Sequence, residues 1–236
     1  MSCKPRFYAC LFTLLAALLV PIVASPAAAP YPAMAPLARY MMDRNAEIRL
    51  ARSAAPPSIA RDASVVVLTA RGYEMAVKGS NGFTCIVERG WTPPFDQKDF
   101  WNPRLRAPIC YNAAASRTVL QYTFIKTKLA LGGLSRAQML ARVKAMTLPT
   151  PEPGSMSYML SKQQYLGDGV GSWYPHIMFH VPKADSADDG ASWGADLPGS
   201  PVVFDSGHHL VPEPQTIFMI QVGSWSDGSP GPTVRY

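Results

Sequence analysis

The chain has 236 residues, 48% of them hydrophobic, and carries 22 Lys and Arg against 16 Asp and Glu for a formal net charge of +6 at pH 7. That length fits one sizeable domain with its own core, and the apolar fraction excludes a chain too polar to fold. The cations run from Arg39 to Arg235 with acids between them rather than clustering on one segment, which excludes the usual footprint of a nucleic-acid-binding surface.

Lys4 and Arg6 precede an apolar run from Leu11 to Val23, broken only by Thr13 and Pro21, and small residues follow at Ala24, Ser25 and Ala27 to Ala29. This is the order of a secretory signal peptide, predicted over residues 1–24 with cleavage between Ala24 and Ala29. The run is shorter than the roughly 20 residues of a comfortable membrane span. The expected product is exported, periplasmic or extracellular, with no integral membrane segment after cleavage. Its charge falls from +6 to +4, because Lys4 and Arg6 leave with no acid. Cys3 and Cys10 leave too, so Cys85 and Cys110 are the cysteines of the exported chain. In an oxidising compartment they are expected to pair.

Residues 25–36 are almost entirely Pro and Ala and predict a disordered or extended leader. Residues 37–236 are then expected to form a single α+β domain. Asp43 is placed to cap a short helix running to Ala54, stopped by Pro56-Pro57. Val65 to Leu68 and Met75 to Val77 predict strands. Lys78-Gly79-Ser80-Asn81-Gly82 reads as a hairpin turn into a third strand, Phe83 to Glu88, so that an antiparallel meander carries Cys85 in its last strand. Residues 90–111, rich in Trp and Pro, read as a long irregular loop pinned to that strand by the disulfide. A helix is predicted over 113–131 with Asn112 as its cap and Val119, Tyr122, Ile125 and Leu129 on its apolar face. After Gly132-Gly133, Ser135 and Gln138 form a capping box for a second helix that ends before Pro149, and Leu134 is placed to staple against Met139. Lys126, Lys128, Arg136, Arg142 and Lys144 are expected on solvated faces. Met156–Leu160, His176–Val181, Pro201–Phe204 and Thr216–Val222 predict four more strands. The fold class expected is α+β, a mostly antiparallel sheet with the helical hairpin packed on one face.

Several stretches together carry a resemblance: Ala51-Arg-Ser-Ala-Ala-Pro56, Asn81-Gly-Phe-Thr-Cys85, Phe100-Trp-Asn-Pro-Arg104 running on to Ala107-Pro-Ile-Cys-Tyr-Asn112, Ser161-Lys-Gln-Gln-Tyr-Leu-Gly-Asp168, Trp193-Gly-Ala-Asp-Leu-Pro-Gly-Ser-Pro201 and Trp225-Ser-Asp-Gly228. The chain resembles, over nearly its whole exported length, a group of uncharacterised secreted bacterial proteins. The resemblance implies one exported domain and brings no activity, cofactor or catalytic residue with it.

All four histidines, His176, His180, His208 and His209, lie in the last third of the chain. The four-residue spacing of His176 and His180 suits a zinc pair on a helix. Pro175 and Pro182, with Ile177, Phe179 and Val181 alternating, argue for a strand instead. Four residues of strand span about 13 Å, too far for both rings to hold one ion. The alternation predicts His176, Met178 and His180 on one face, with Ile177, Phe179 and Val181 toward the core. A metal would then need one of these histidines with His208 or His209 and Asp205 or Asp168, and no metal or cofactor is predicted. Gly167-Asp-Gly-Val-Gly-Ser172 lacks the strand before and helix after that a phosphate loop requires, and reads as a mobile loop. Trp173, Tyr174, Trp193 and Trp225 sit in Gly-rich segments, where tryptophans plug a core or line a cleft. The candidate ligand-binding residues are therefore Asp168, Trp173, Tyr174, His176 and His180, at the meeting of the glycine loop and the histidine strand. The expected function is a non-enzymatic binding or envelope-associated domain for a small molecule or an envelope component. The alternative is an exported hydrolase or metal-dependent enzyme using His176 or His180 with Asp168.

Overall fold

A computed structural model describes residues 30–183, 193–195, 197–204, 210 and 212–233. The predicted signal and its cleavage site lie outside the described residues, as do Asp205, His208 and His209. Residues 30–36 form no regular element but are held in place: the Tyr31 hydroxyl donates to Asp168 and the Ala35 N–H to the Tyr40 hydroxyl, while Met34 and Ala35 pack against a buried aromatic cluster. These contacts tie residues 31–35 to the body of the domain.

A 3-10 turn at Leu37–Arg39 leads into α1 (Arg44–Arg52), which Asp43 caps by accepting from the Ala46 N–H at 2.9 Å. Pro57 ends that segment but opens a further turn, α2 (Pro57–Ala60), where its fixed φ is favourable at the first helical position. Strands β1 (Ser64–Thr69) and β2 (Gly72–Val77) form an antiparallel hairpin that turns at Ala70-Arg71. The chain then crosses back, so β3 (Thr84–Glu88) pairs parallel with β1 rather than antiparallel with β2. The expected meander is thus wrong at its second step. Asn81-Gly82 belongs to a crossing connection, in which Asn81 bonds the Ile59 carbonyl and the Phe83 N–H.

Residues 107–111, read from sequence as loop, form β4 (Ala107–Tyr111), a wholly buried central strand. Pro108 hid it, because proline removes a ladder donor. Cys85 and Cys110 face each other with Cα atoms 4.0 Å apart, the spacing of a non-hydrogen-bonded pair. Val87 and Pro108 lie two residues along and share that character, so the Pro108 nitrogen points away from β3. On its other side β4 pairs with β5 only at Cys110 and Tyr111, and the missing N–H falls outside the ladder. The disulfide Cys85–Cys110 accordingly joins two adjacent strands. It does not pin the Trp-rich loop; Trp91, Phe95, Phe100 and Trp101 do that themselves by burying against Tyr40, Leu68, Ala130 and Met139. Trp101 sits at φ 74°, and its N–H reaches the Gly90 carbonyl. A Cβ on Gly90 would lie 2.3 Å from the Asn102 carbonyl oxygen, so only glycine fits that crossing.

The helix expected over 113–131 is two: α3 (Ala113–Arg117), capped by Asn112, and α4 (Val119–Leu131). The Thr118 hydroxyl donates to the Ala114 carbonyl between them, a back-bond that bends helices. Gly133 at φ 76°, with the Leu134 N–H on the Leu129 carbonyl, ends α4. The capping box forms as predicted and starts α5 (Arg136–Lys144), with Leu134 and Met139 in one cluster. Strands β5 (Met156–Met159), β6 (His176–Pro182), β7 (Val202–Phe204) and β8 (Gln215–Gln221) complete a sheet of order β2-β1-β3-β4-β5-β6-β8-β7. The architecture is a single α+β domain with a mostly antiparallel, eight-stranded mixed sheet.

Strand alternation decides which face each side chain meets. Val65, Val67, Cys85, Val87 and Cys110 pack on Leu50, Ala51 and Ala54 at one face. Val66, Ile86, Ile109, Tyr111, Met159 and Met178 pack on Val119, Leu120 and Tyr122 of α4 at the other. A buried ion pair fastens the first helix to the sheet: Arg89 and Glu47 lie 2.8 Å apart with side chains 0% and 1% exposed, and Glu47 also accepts from the Leu68 N–H.

Candidate functional site

The α4 face of the sheet is not closed everywhere. Between β3–β4–β5–β6–β8 and α4 lies a cavity of about 370 Å³, roofed by Val119, Tyr122, Thr123 and Lys126 and flanked by the Thr92–Gln97 turn and the loop of Leu166, Val170 and Trp173. Its floor follows from the strand period: Ala107, Ile109 and Tyr111 on β4, His176, Met178 and His180 on β6, and Gln215, Ile217 and Met219 on β8 are each alternate residues. Val170 is 54% exposed and forms part of the rim.

His176, Met178 and His180 do share a face, as the alternation predicts. The direction is reversed, since these three are buried while Ile177, Phe179 and Val181 are half-buried on the opposite face. Burial holds both imidazoles well below their ordinary range, to about 4, because a charged ring would lose its hydration there. Both are neutral at pH 7. His176 Nδ1 lies 2.7 Å from the Tyr174 carbonyl, an acceptor, so Nδ1 carries the proton and Nε2 is left as an acceptor. His180 spans Gln215 Oε1 at 3.1 Å and Ser157 Oγ at 2.9 Å, using both ring nitrogens inside the protein. Trp173 packs edge-on against His176, ring centroids 4.6 Å apart.

Two carboxylates and one ammonium complete the lining. Lys126 Nζ lies 2.7 Å from Glu213, with side chains 7% and 3% exposed; it also donates to the Thr92 carbonyl and sits 4.8 Å from the centre of the Phe95 ring. Glu213 Oε2 has no hydrogen-bond partner among the described residues. Glu88 Oε1 accepts from Tyr111 at 2.9 Å and Thr123 at 2.5 Å. Burial, reinforced by the Glu88 charge, raises the Tyr111 hydroxyl well above its usual range, so it stays protonated and donating.

Of the five residues picked out in the sequence, Trp173, His176 and His180 line the cavity, whereas Tyr174 and Asp168 do not. Tyr174 contributes its carbonyl to His176. Asp168 is the hub of an outer network, accepting from Tyr165, Tyr31, Asn102 and Arg104. The Tyr165 and Tyr31 hydroxyls hold its carboxyl down to about 2. Its own N–H donates to Asp99 at 2.9 Å, and a Cβ on Gly167 would come within 2.4 Å of that carboxyl group. The glycine loop is therefore clamped where mobility was expected. Trp193 stacks on Phe218 at 4.3 Å and Trp225 is half-buried, both away from the cavity lining. Among the described residues no group of three His, Cys, Asp or Glu could hold a metal ion, and no helix is long and apolar enough to cross a membrane.

Glu88, Lys126 and Glu213 were missed in the sequence. Lys126 had a readable signal: it stands three, four and seven residues beyond Thr123, Tyr122 and Val119, on the buried stripe of α4, rather than on the solvated face assigned to it. Glu88 ends an alternating strand in step with Ile86. Glu213 carries no local signal, being placed by the approach to β8. Comparison with protein-family models, with curated proteins and with solved structures yields no match, so a functional reading rests on the geometry of this cavity.

Proposed function

We propose that this protein is an exported, non-enzymatic binding domain that takes a small amphipathic molecule into the cavity between the sheet and α4. Its volume of about 370 Å³ lies within the range of small-ligand pockets, roughly 300–1,000 Å³. The observation that carries the reading is the combination of an apolar floor with a buried carboxylate oxygen that has no partner among the described residues, Glu213 Oε2. Leaving such an atom unpaired costs about 1–3 kcal/mol, which a ligand with a matching group recovers. The disulfide and the signal-like first 24 residues support export. Asp168 is committed to the outer network rather than to the cavity lining, which favours binding over an enzyme built on Asp168 and the histidines.

The test is a thermal-melt panel of small cationic, neutral and anionic aromatic molecules against the exported chain. At least one compound should raise the melting temperature by several degrees, and Met178→Trp, which fills the cavity from its floor, should abolish that rise while keeping the wild-type circular-dichroism spectrum. A panel without any stabilising compound, or protection that persists in Met178→Trp, overturns the reading.

A further inference from the structure

We propose that the cavity selects an organic cation, a protonated primary amine carried on an apolar or aromatic body. This deepens the binding reading above and rests on it. The lining holds two carboxylates, Glu88 and Glu213, against one ammonium, Lys126. Several donors of the lining are spent internally: Lys126 on Glu213, the Thr92 carbonyl and the Phe95 ring, the Tyr111 and Thr123 hydroxyls on Glu88, and the Tyr122 hydroxyl on the Pro149 carbonyl. What the carboxylates leave unspent is acceptor capacity, at Glu213 Oε2. Glu213 is 3% exposed and its Oε2 is buried, so bulk water does not serve it. An ammonium brings three donors and one positive charge, matching both the Glu213 acceptor and the excess of one carboxylate over the ammonium in a site where charge is weakly screened. A carboxylate ligand would face the same two carboxylates with repulsion. Trp173, placed edge-on to His176, adds aromatic surface for the apolar body.

Three probes of similar shape separate the possibilities: 2-phenylethylamine, 2-phenylethanol and 3-phenylpropionate, measured by calorimetry at pH 7 on the exported chain. The amine should bind at least 10-fold tighter than the alcohol, and the carboxylate should not bind measurably. Glu88→Gln, which keeps an acceptor for Tyr111 and Thr123 and leaves the Lys126–Glu213 pair intact, should bring amine and alcohol within about threefold of each other. Equal binding of amine and alcohol to the wild type, a carboxylate that binds best, or an amine preference unchanged in Glu88→Gln overturns the cation assignment while leaving a ligand cavity in place. Failure of all three probes together with the wider panel overturns the cavity reading itself.

Discussion

Among the described residues, the imidazoles of His176 and His180 are two groups through which acid acts on this fold. Above pH 6.5, folded and unfolded rings are both neutral and contribute no pH dependence. As pH falls below 6.5 the unfolded chain takes up two protons that the folded chain refuses until about 4, so stability is lost across that window. A depression of this size corresponds to about 3 kcal/mol per ring at the acid end. Denaturant midpoints should therefore drop between pH 6.5 and 4, and the double variant His176→Asn/His180→Gln should flatten the profile over the same interval. An unchanged slope in that variant would show that the rings are not the sensors. Asp168, by contrast, is held at about 2 by hydroxyl donors and stays charged throughout this window.

At the scale of elements, the α4–α5 hairpin depends on its reciprocal cap. Ser135 accepts from the Gln138 N–H at 3.4 Å, and Gln138 Oε1 accepts from the Ser135 N–H at 2.9 Å. Ser135→Ala should cost about 1 kcal/mol, measured as a lower urea midpoint at unchanged m-value; an unaltered midpoint would mean the cap carries no stability. Elements with local signals were legible in the sequence: the caps at Asp43, Asn112 and Ser135, the strands β5 to β8, and the two-residue period that put His176 and His180 on one face. What was illegible depends on partners distant in the chain. The direction of the histidine face was set by where α4 docks, the parallel pairing of β1 with β3 by a crossing that turn chemistry at Asn81-Gly82 does not encode, and β4 was masked by a proline whose missing donor happens to fall outside the ladder. The cavity was half-visible for the same reason: β6 and Trp173 announced themselves, while Glu88 and Glu213 acquire meaning only once β3 and β8 flank the floor.

For the whole molecule, the sheet separates two tasks. Its α1 face carries the Cys85–Cys110 bond among small and β-branched residues, and its α4 face carries the cavity. A bond closing a loop of 25 residues constrains the unfolded chain by about 3 kcal/mol on the chain-entropy view. Reduction should lower the melting temperature substantially. Because no cavity group lies on that face, ligand affinity measured well below the melting point should stay within about twofold of the oxidised value. A large affinity loss at such temperatures would show that the two faces are coupled.

The bond between Tyr31 and Asp168 spans 137 positions of sequence and brings the start of the described chain to the loop that carries Val170 and Trp173 at the cavity rim. The position of the chain's N-terminus is thereby linked to the rim: a cut at the site expected from the sequence, between Ala24 and Ala29, would keep this tether, whereas a cut a few residues further would remove it. A form beginning at Pro36 should exchange the amide protons of residues 167–172 faster than one beginning at Pro30, with the α1 face unaffected. The reach of the N-terminal segment to Asp168 would then set how readily the rim opens, and identical exchange in the two forms would dissolve that link.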